Sequence, residues 1–165
     1  MNFLRLTLVF ALLLLSGCGF HLRGNIDLPA DLKQMHVQGT SKYSGLGLEL
    51  RRSLKTNGVE VVDEINSAQV VLRISSPAYT RRLLSVLGDS GKVAEYELSY
   101  SLDISLHDRK GSILLAPQTL RQLRDYTFDS DGVLGKGNEE ARLRKDMERD
   151  LVRQVLSRLQ AYRRG

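Results

Sequence analysis

Cysteine is almost absent from this chain: there is one, Cys18, in 165 residues. An intramolecular disulfide framework is therefore excluded, and any thiol chemistry is confined to that position. Histidine is scarce as well. His21, His36 and His107 stand far apart and lack metal-ligand spacing. No Gly-x-Ser-x-Gly occurs, and no glycine-rich phosphate loop follows a strand pattern; Gly88-Asp89-Ser90-Gly91 reads better as a hairpin turn. Glu95 and Glu97 would fall on one strand face as paired carboxylates, but a solvated strand face accounts for them more simply. These absences predict a protein that is not an enzyme and has no metal centre and no cofactor. Repeats, low-complexity linkers and hydrophobic runs long enough to span a bilayer, which needs roughly 20 apolar residues, are missing too.

What is present begins at the N-terminus. Arg5 precedes an apolar run from Leu6 to Leu15, too short to cross a membrane and suited to a signal sequence. Leu15-Ser16-Gly17-Cys18 has the form of a bacterial lipobox. The reading is a signal peptide over residues 1–17 and a lipid anchor on Cys18, followed by a single periplasmic domain over 18–165. Several acyl chains, at about 0.8 kcal/mol per buried CH₂, make a durable anchor. The full chain carries 24 Lys+Arg against 19 Asp+Glu, a formal charge of +5. That mild excess suits acidic partners such as phosphorylated lipid head groups or an anionic membrane. Nucleic acid is not expected as a partner of an exported protein.

The clearest element is a strand over 94–107. Ala94, Tyr96, Leu98, Tyr100, Leu102, Ile104 and Leu106 alternate with Glu95, Glu97, Ser99, Ser101, Asp103, Ser105 and His107. Unbroken alternation predicts one buried face and one polar face. At about 3.3 Å per residue the strand would be roughly 45 Å long, beyond the usual ~17–20 Å. Asp108-Arg109-Lys110-Gly111 turns the chain into a second strand over 113–128, interrupted at Pro117. A strand over 69–76 precedes the hairpin and continues past Pro77 only if that proline lies at an edge or a bulge. Together these form a long antiparallel meander. Further strands are read over 32–38 and, at an edge, over 59–62.

Tyr43, Leu46, Leu50 and Leu54 recur at helical spacing, predicting a helix from about Ser44 to Thr56 that stops at Asn57-Gly58. Gly45 and Gly47 weaken its first turn. After a loop over 132–137, Asn138 is placed to cap a long helix with the apolar stripe Leu143, Met147, Leu151, Val155, Leu159 and Tyr162. Two striped helices and a one-faced sheet imply an α+β two-layer sandwich. The surfaces left for function are the serine-rich strand face and a basic set, Arg81, Arg82, Lys92 and Lys136. Arg81, Arg82 and Lys92 flank the same hairpin.

Cys18-Gly19-Phe20-His21-Leu22-Arg23-Gly24, Asn57-Gly58-Val59-Glu60, Ala94-Glu95-Tyr96 and Leu134-Gly135-Lys136-Gly137-Asn138-Glu139-Glu140 occur in this order across nearly the whole chain. In these motifs the sequence resembles the LPS-assembly lipoprotein family, the LptE proteins. The resemblance implies two helices packed on a mostly antiparallel four-stranded sheet with long central strands. It implies a lipid-anchored protein on the periplasmic face of the outer membrane, in a 1:1 complex with the β-barrel LptD, which it plugs and helps to assemble. It also implies binding of lipopolysaccharide through basic residues, with Lys136 at a matching position. Asp89 stands about where the family has a second base, with Lys92 close by. Lys92, Arg81 and Arg82 are weaker candidates for the same ligand. The alternative reading is a lipid-binding auxiliary lipoprotein of an envelope ABC transporter.

The lipobox generates a direct test. Cys18→Ala should abolish acylation and leave an uncleaved or mislocalised precursor. Intact-mass spectrometry of the wild-type chain should show acyl groups on residue 18, and an unmodified cysteine there would refute the anchor.

Overall fold

The computed structural model describes residues 28–43, 45–86, 93–127 and 133–162. The signal sequence, Cys18 and Lys92 lie outside the described residues. Five strands, β1 (Gln34–Gln38), β2 (Glu60–Val62), β3 (Val70–Val86), β4 (Val93–Asp108) and β5 (Ile113–Thr127), form one sheet in the order β2-β1-β3-β4-β5. The last three make the antiparallel meander, and β1 pairs in parallel with β2 and β3. Helices α1 (Gly45–Thr56) and α2 (Val133–Ala161) complete the α+β sandwich. Among the described residues no helix is long and apolar enough to cross a membrane.

The sheet has the five strands read from the residue patterns where the family resemblance implied four, and what adds β2 lies at the end of α1. Gly58 takes a positive φ of 78°, donates its N–H to Lys55 O at 3.0 Å, and Val59 N–H reaches Leu54 O at 3.0 Å. This is the Schellman arrangement, which needs a residue tolerant of the left-handed region. It buries Val59 and aims the chain so that Glu60 N–H donates to Lys33 O at 2.7 Å, laying β2 alongside β1. Leu32 proves to sit in a 3-10 turn over Ala30–Leu32, ahead of β1. Tyr43 lies outside α1 and is 78% exposed, so it does not belong to the helix stripe. Gly47, which weakens the helix by propensity, is required sterically: a Cβ there would come within 1.9 Å of Ser41 O.

The two strand prolines, Pro77 and Pro117, sit at bulges and at edges. The β3–β4 register shifts between Ser75 and Ala78, with Ser76 at φ 50°, just beyond the last β3 residue paired to β1. The β4–β5 register shifts across Ala116 and Pro117 on the outermost strand. A proline lacks the N–H a ladder needs, so these are the places where it does least harm.

One face of the meander is apolar. Leu98, Leu102, Ile104 and Leu106 are essentially inaccessible and pack with Leu50 and Leu54 of α1 and Met147, Leu151 and Leu159 of α2. Burying each such side chain contributes about 1.5–3 kcal/mol. The opposite face of β4 is polar, as its alternation requires, but it is not wet throughout: Ser105 and His107 are buried, with Oγ and Nε2 2.9 Å apart and His107 Nδ1 3.3 Å from Gly111 O. Helix α2 starts at Val133 and absorbs the expected loop, so Asn138 is an interior residue and not an N-cap. Gly135 and Gly137 each cost about 1 kcal/mol there relative to alanine, which disfavours helix without forbidding it.

The face assignment predicts a contrast between neighbours. Leu102→Asp should destabilise by more than about 4 kcal/mol through an unpaired buried charge, whereas Ser101→Asp, on the other face, should cost about 0.5 kcal/mol. Chemical denaturation of both variants checks this; equal losses would overturn the assignment.

Candidate functional site

Two features stand out: an uncovered polar sheet face and a carboxylate clasp behind it. The polar face is assembled by register. Ser99, Ser101 and Asp103 of β4 lie between Thr80, Ala78 and Ser75 of β3 and Leu123, Arg121 and Thr119 of β5. The flanking β3 and β5 residues are exposed and the β4 residues half-exposed. Thr119 Oγ1 donates to Asp103 Oδ1 at 2.6 Å, and Arg82 Nε donates to Glu97 Oε1 at 3.2 Å. Hydroxyls and fixed charges across three strands make a broad hydrogen-bonding surface of low apolar content. Leu123, 46% exposed, is its main apolar point.

The bulge at Pro77 resets the alternation of β3, so Tyr79 and Arg81 face the helix side opposite Tyr100 and Leu98. There the Glu140 carboxylate of α2 accepts three hydrogen bonds: from Tyr79 Oη at 3.0 Å, Arg81 Nη1 at 3.0 Å and Tyr126 Oη at 3.1 Å. The Arg81 guanidinium lies 4.6 Å from the Tyr96 ring, which stacks on Tyr126 with centroids 5.6 Å apart. Arg144 sits 4.9 Å from the Tyr79 ring and pairs with Glu148 at 3.5 Å. Lower on the helix, Asp150 pairs with Arg124 of β5 and with Arg153.

The clasp sets its own protonation states. Burial pushes the Glu140 carboxyl up, but the three donated hydrogen bonds and the Arg81 charge outweigh it and hold the group below its ordinary 4.5. Burial first, and then the bond to Glu140, push the Tyr79 phenol up to about 12. Tyr79 thus remains a donor and Glu140 an acceptor at neutral pH.

The basic residues singled out in the sequence are dispersed by this geometry. Arg81 turns to the helix side and binds Glu140; Arg82 turns to the polar face and binds Glu97. Adjacent strand residues point to opposite faces, so the two do not form one patch. Lys136 falls within the first turns of α2, not in a loop, and its side chain lies outside the described residues, as does Lys92. Nothing local in the sequence marked Glu140 as a structural centre. The signal was the set of tyrosines at 79, 96, 100 and 126, whose polar tips need partners when half-buried. Among the described residues, no cluster of His, Cys, Asp or Glu is arranged to hold a metal.

Comparison with known proteins places this geometry in context. A family profile described as "LptE: Lipopolysaccharide-assembly" matches residues 32–159. The LPS-assembly lipoprotein LptE of Pectobacterium atrosepticum is 33% identical, aligned over 92% of this chain and 76% of its own length. Its counterpart from Photorhabdus laumondii is 31% identical, over 93% and 85%. The solution structure of an uncharacterized lipoprotein B from Nitrosomonas europaea superposes with a TM-score of 0.72 at 30% identity, covering 87% of this chain and 92% of that one. The rare lipoprotein B of Shewanella oneidensis does so with a TM-score of 0.66 at 29% identity, covering 78% and 94%.

The clasp predicts a pH-dependent contribution to stability. Glu140→Ala should cost about 1–3 kcal/mol at pH 7, the range for removing a charged hydrogen-bond acceptor. A carboxyl held below its unfolded value stabilises the fold fully above that value and loses the contribution as pH falls through the folded one. The difference in melting temperature between wild type and variant should therefore be constant above about pH 5 and shrink below pH 4.5. A difference that does not change with pH would show that the charge contributes nothing.

Proposed function

The chain belongs to the LptE family of lipopolysaccharide-assembly proteins, and from that premise we propose that it is a non-catalytic lipoprotein seated inside the LptD β-barrel. In this reading Cys18 anchors it to the periplasmic face of the outer membrane. The domain over 18–165 plugs the barrel, assists its assembly and takes part in delivering lipopolysaccharide to the cell surface. The observation that carries the proposal is the uncovered polar face of β3, β4 and β5. The lumen of an outer-membrane barrel is polar while its outside is apolar. A plug must therefore keep its apolar surface within itself and turn hydroxyls and charges toward the wall. Ser99, Ser101, Thr80 and Thr119 supply such groups on a rigid sheet, and α1 and α2 cover its apolar side.

Lipopolysaccharide contact is assigned to Lys136 and Lys92. A phosphate-bearing ligand would pair with an ammonium group at the hairpin end of the sheet. Arg81 and Arg82 contribute less, because each already has a carboxylate partner. Family membership favours this role over that of an ABC-transporter auxiliary.

Two measurements test the proposal. Purified from detergent-solubilised envelopes, the chain should emerge in a stable 1:1 complex with a large barrel protein. The double variant Lys92→Asp, Lys136→Asp should weaken lipopolysaccharide binding at low salt while preserving that complex and the circular dichroism. Wild-type ligand affinity would move the binding site elsewhere; loss of the barrel would make the patch a docking surface.

A further inference from the structure

The outer face of α1 carries Leu48, Arg51, Arg52 and Lys55, at the i, i+3, i+4, i+7 spacing of a single stripe. With Tyr43 and Val61 this stripe lines an open groove of about 510 Å³ between α1 and the edge strand β2. Lys42 also reaches the groove but is neutralised by Asp63 at 3.1 Å. Arg51, Arg52 and Lys55 form no salt bridge among the described residues, although Asp63, which also lines the groove, feels the Arg51 charge. Arg51 spends one donor on Val37 O at 2.8 Å, while its Nε is buried without a hydrogen-bond partner. Arg52 and Lys55 are exposed, so the groove offers their charges to an anionic acceptor from outside the chain.

The rest of the groove specifies what kind of acceptor. Tyr43 is 78% exposed and Leu48 39%, both at the N-terminal end of the basic stripe. A free inorganic anion would use the cations and leave that apolar lip idle. A phospholipid uses both, with its phosphate among the cations and its glycerol and upper acyl carbons against an aromatic ring and a leucine. Net positive charge selects an anionic headgroup over a zwitterionic one.

The position of the groove agrees. The chain enters the described fold at Leu28, shortly ahead of β1, the strand that lies beside β2. The ten residue steps from Cys18 to Leu28 span up to ~33 Å when extended, enough for an anchored chain to lay this face on the bilayer. The hairpin end lies away from it: β3 continues from Arg73, its last contact with β1, to Val86, roughly 40 Å further at the strand rise.

We propose that the groove between α1 and β2 holds the headgroup of an anionic phospholipid of the membrane that carries the anchor. The proposal rests on the Cys18 anchor for its source of lipid and is independent of the barrel.

The test uses the intact acylated protein in a neutral maltoside detergent, with amide NMR signals followed against three probes: dihexanoyl phosphatidylglycerol, dihexanoyl phosphatidylcholine and inorganic phosphate. Phosphatidylglycerol should shift signals over 42–63 and bind at least about tenfold more tightly than either other probe. Arg52→Glu, Lys55→Glu, a reversal of two solvent-facing charges, should weaken it by about tenfold or more. Equal binding of phosphatidylcholine or phosphate, shifts confined to other residues, or a wild-type titration by the double variant would each overturn the site. Intact mass of the same sample reports acylation separately, and barrel co-purification is a separate experiment, so neither reading can fail in place of this one.

Discussion

β4 carries Leu98, Leu102, Ile104 and Leu106 to one side and Ser99, Ser101 and Asp103 to the other, and a strand's two-residue period leaves it no alternative. Fourteen residues of such alternation, 94–107, make an apolar face that β1 and β2, lying in the same sheet, cannot cover. It is covered instead by helices, above all by α2, whose 29 residues span about 43 Å at 1.5 Å per residue. The same alternation obliges the reverse face to present hydrogen-bonding groups. The core and the polar reverse face are thus two consequences of one pattern.

A helix that long must be held where the apolar contacts thin out toward the hairpin. Beyond Leu98 the helix-facing positions pass from leucine to Tyr96, Tyr126 and Arg81, and Glu140 gathers Tyr79, Arg81 and Tyr126 onto one carboxylate. The rings supply area where aliphatic side chains are lacking, and the hydroxyls supply direction. This explains how α2 extends back through Gly135 and Gly137, which no propensity would favour: its early turns are secured just after the glycines, at Glu140.

The meander, both helices and the one-sided core were legible because each rests on a local period that survives folding. What was not legible depends on residues distant in sequence. The bulge at Pro77 could be placed at a break, but that it would reset β3 and send Arg81 to the helix side follows only from pairing with Tyr100 and Leu98. Likewise an edge strand over 59–62 could be read, but that it lies parallel beside β1 depends on Glu60 finding Lys33. Arg81 and Arg82 looked alike as exposed cations and differ wholly in the fold, because their partners, Glu140 and Glu97, are 59 and 15 residues away.

In the proposed function the polar face of β3, β4 and β5 meets a barrel wall. Site-specific photocrosslinking in intact cells tests it most directly, with a benzophenone side chain placed singly at Ser99, Ser101 or Thr119 and, for comparison, at Arg52 or Lys55 on α1. Adducts with a barrel protein from the three sheet positions are the predicted result. Silence at all three, with barrel adducts arising only from Arg52 and Lys55, would contradict it.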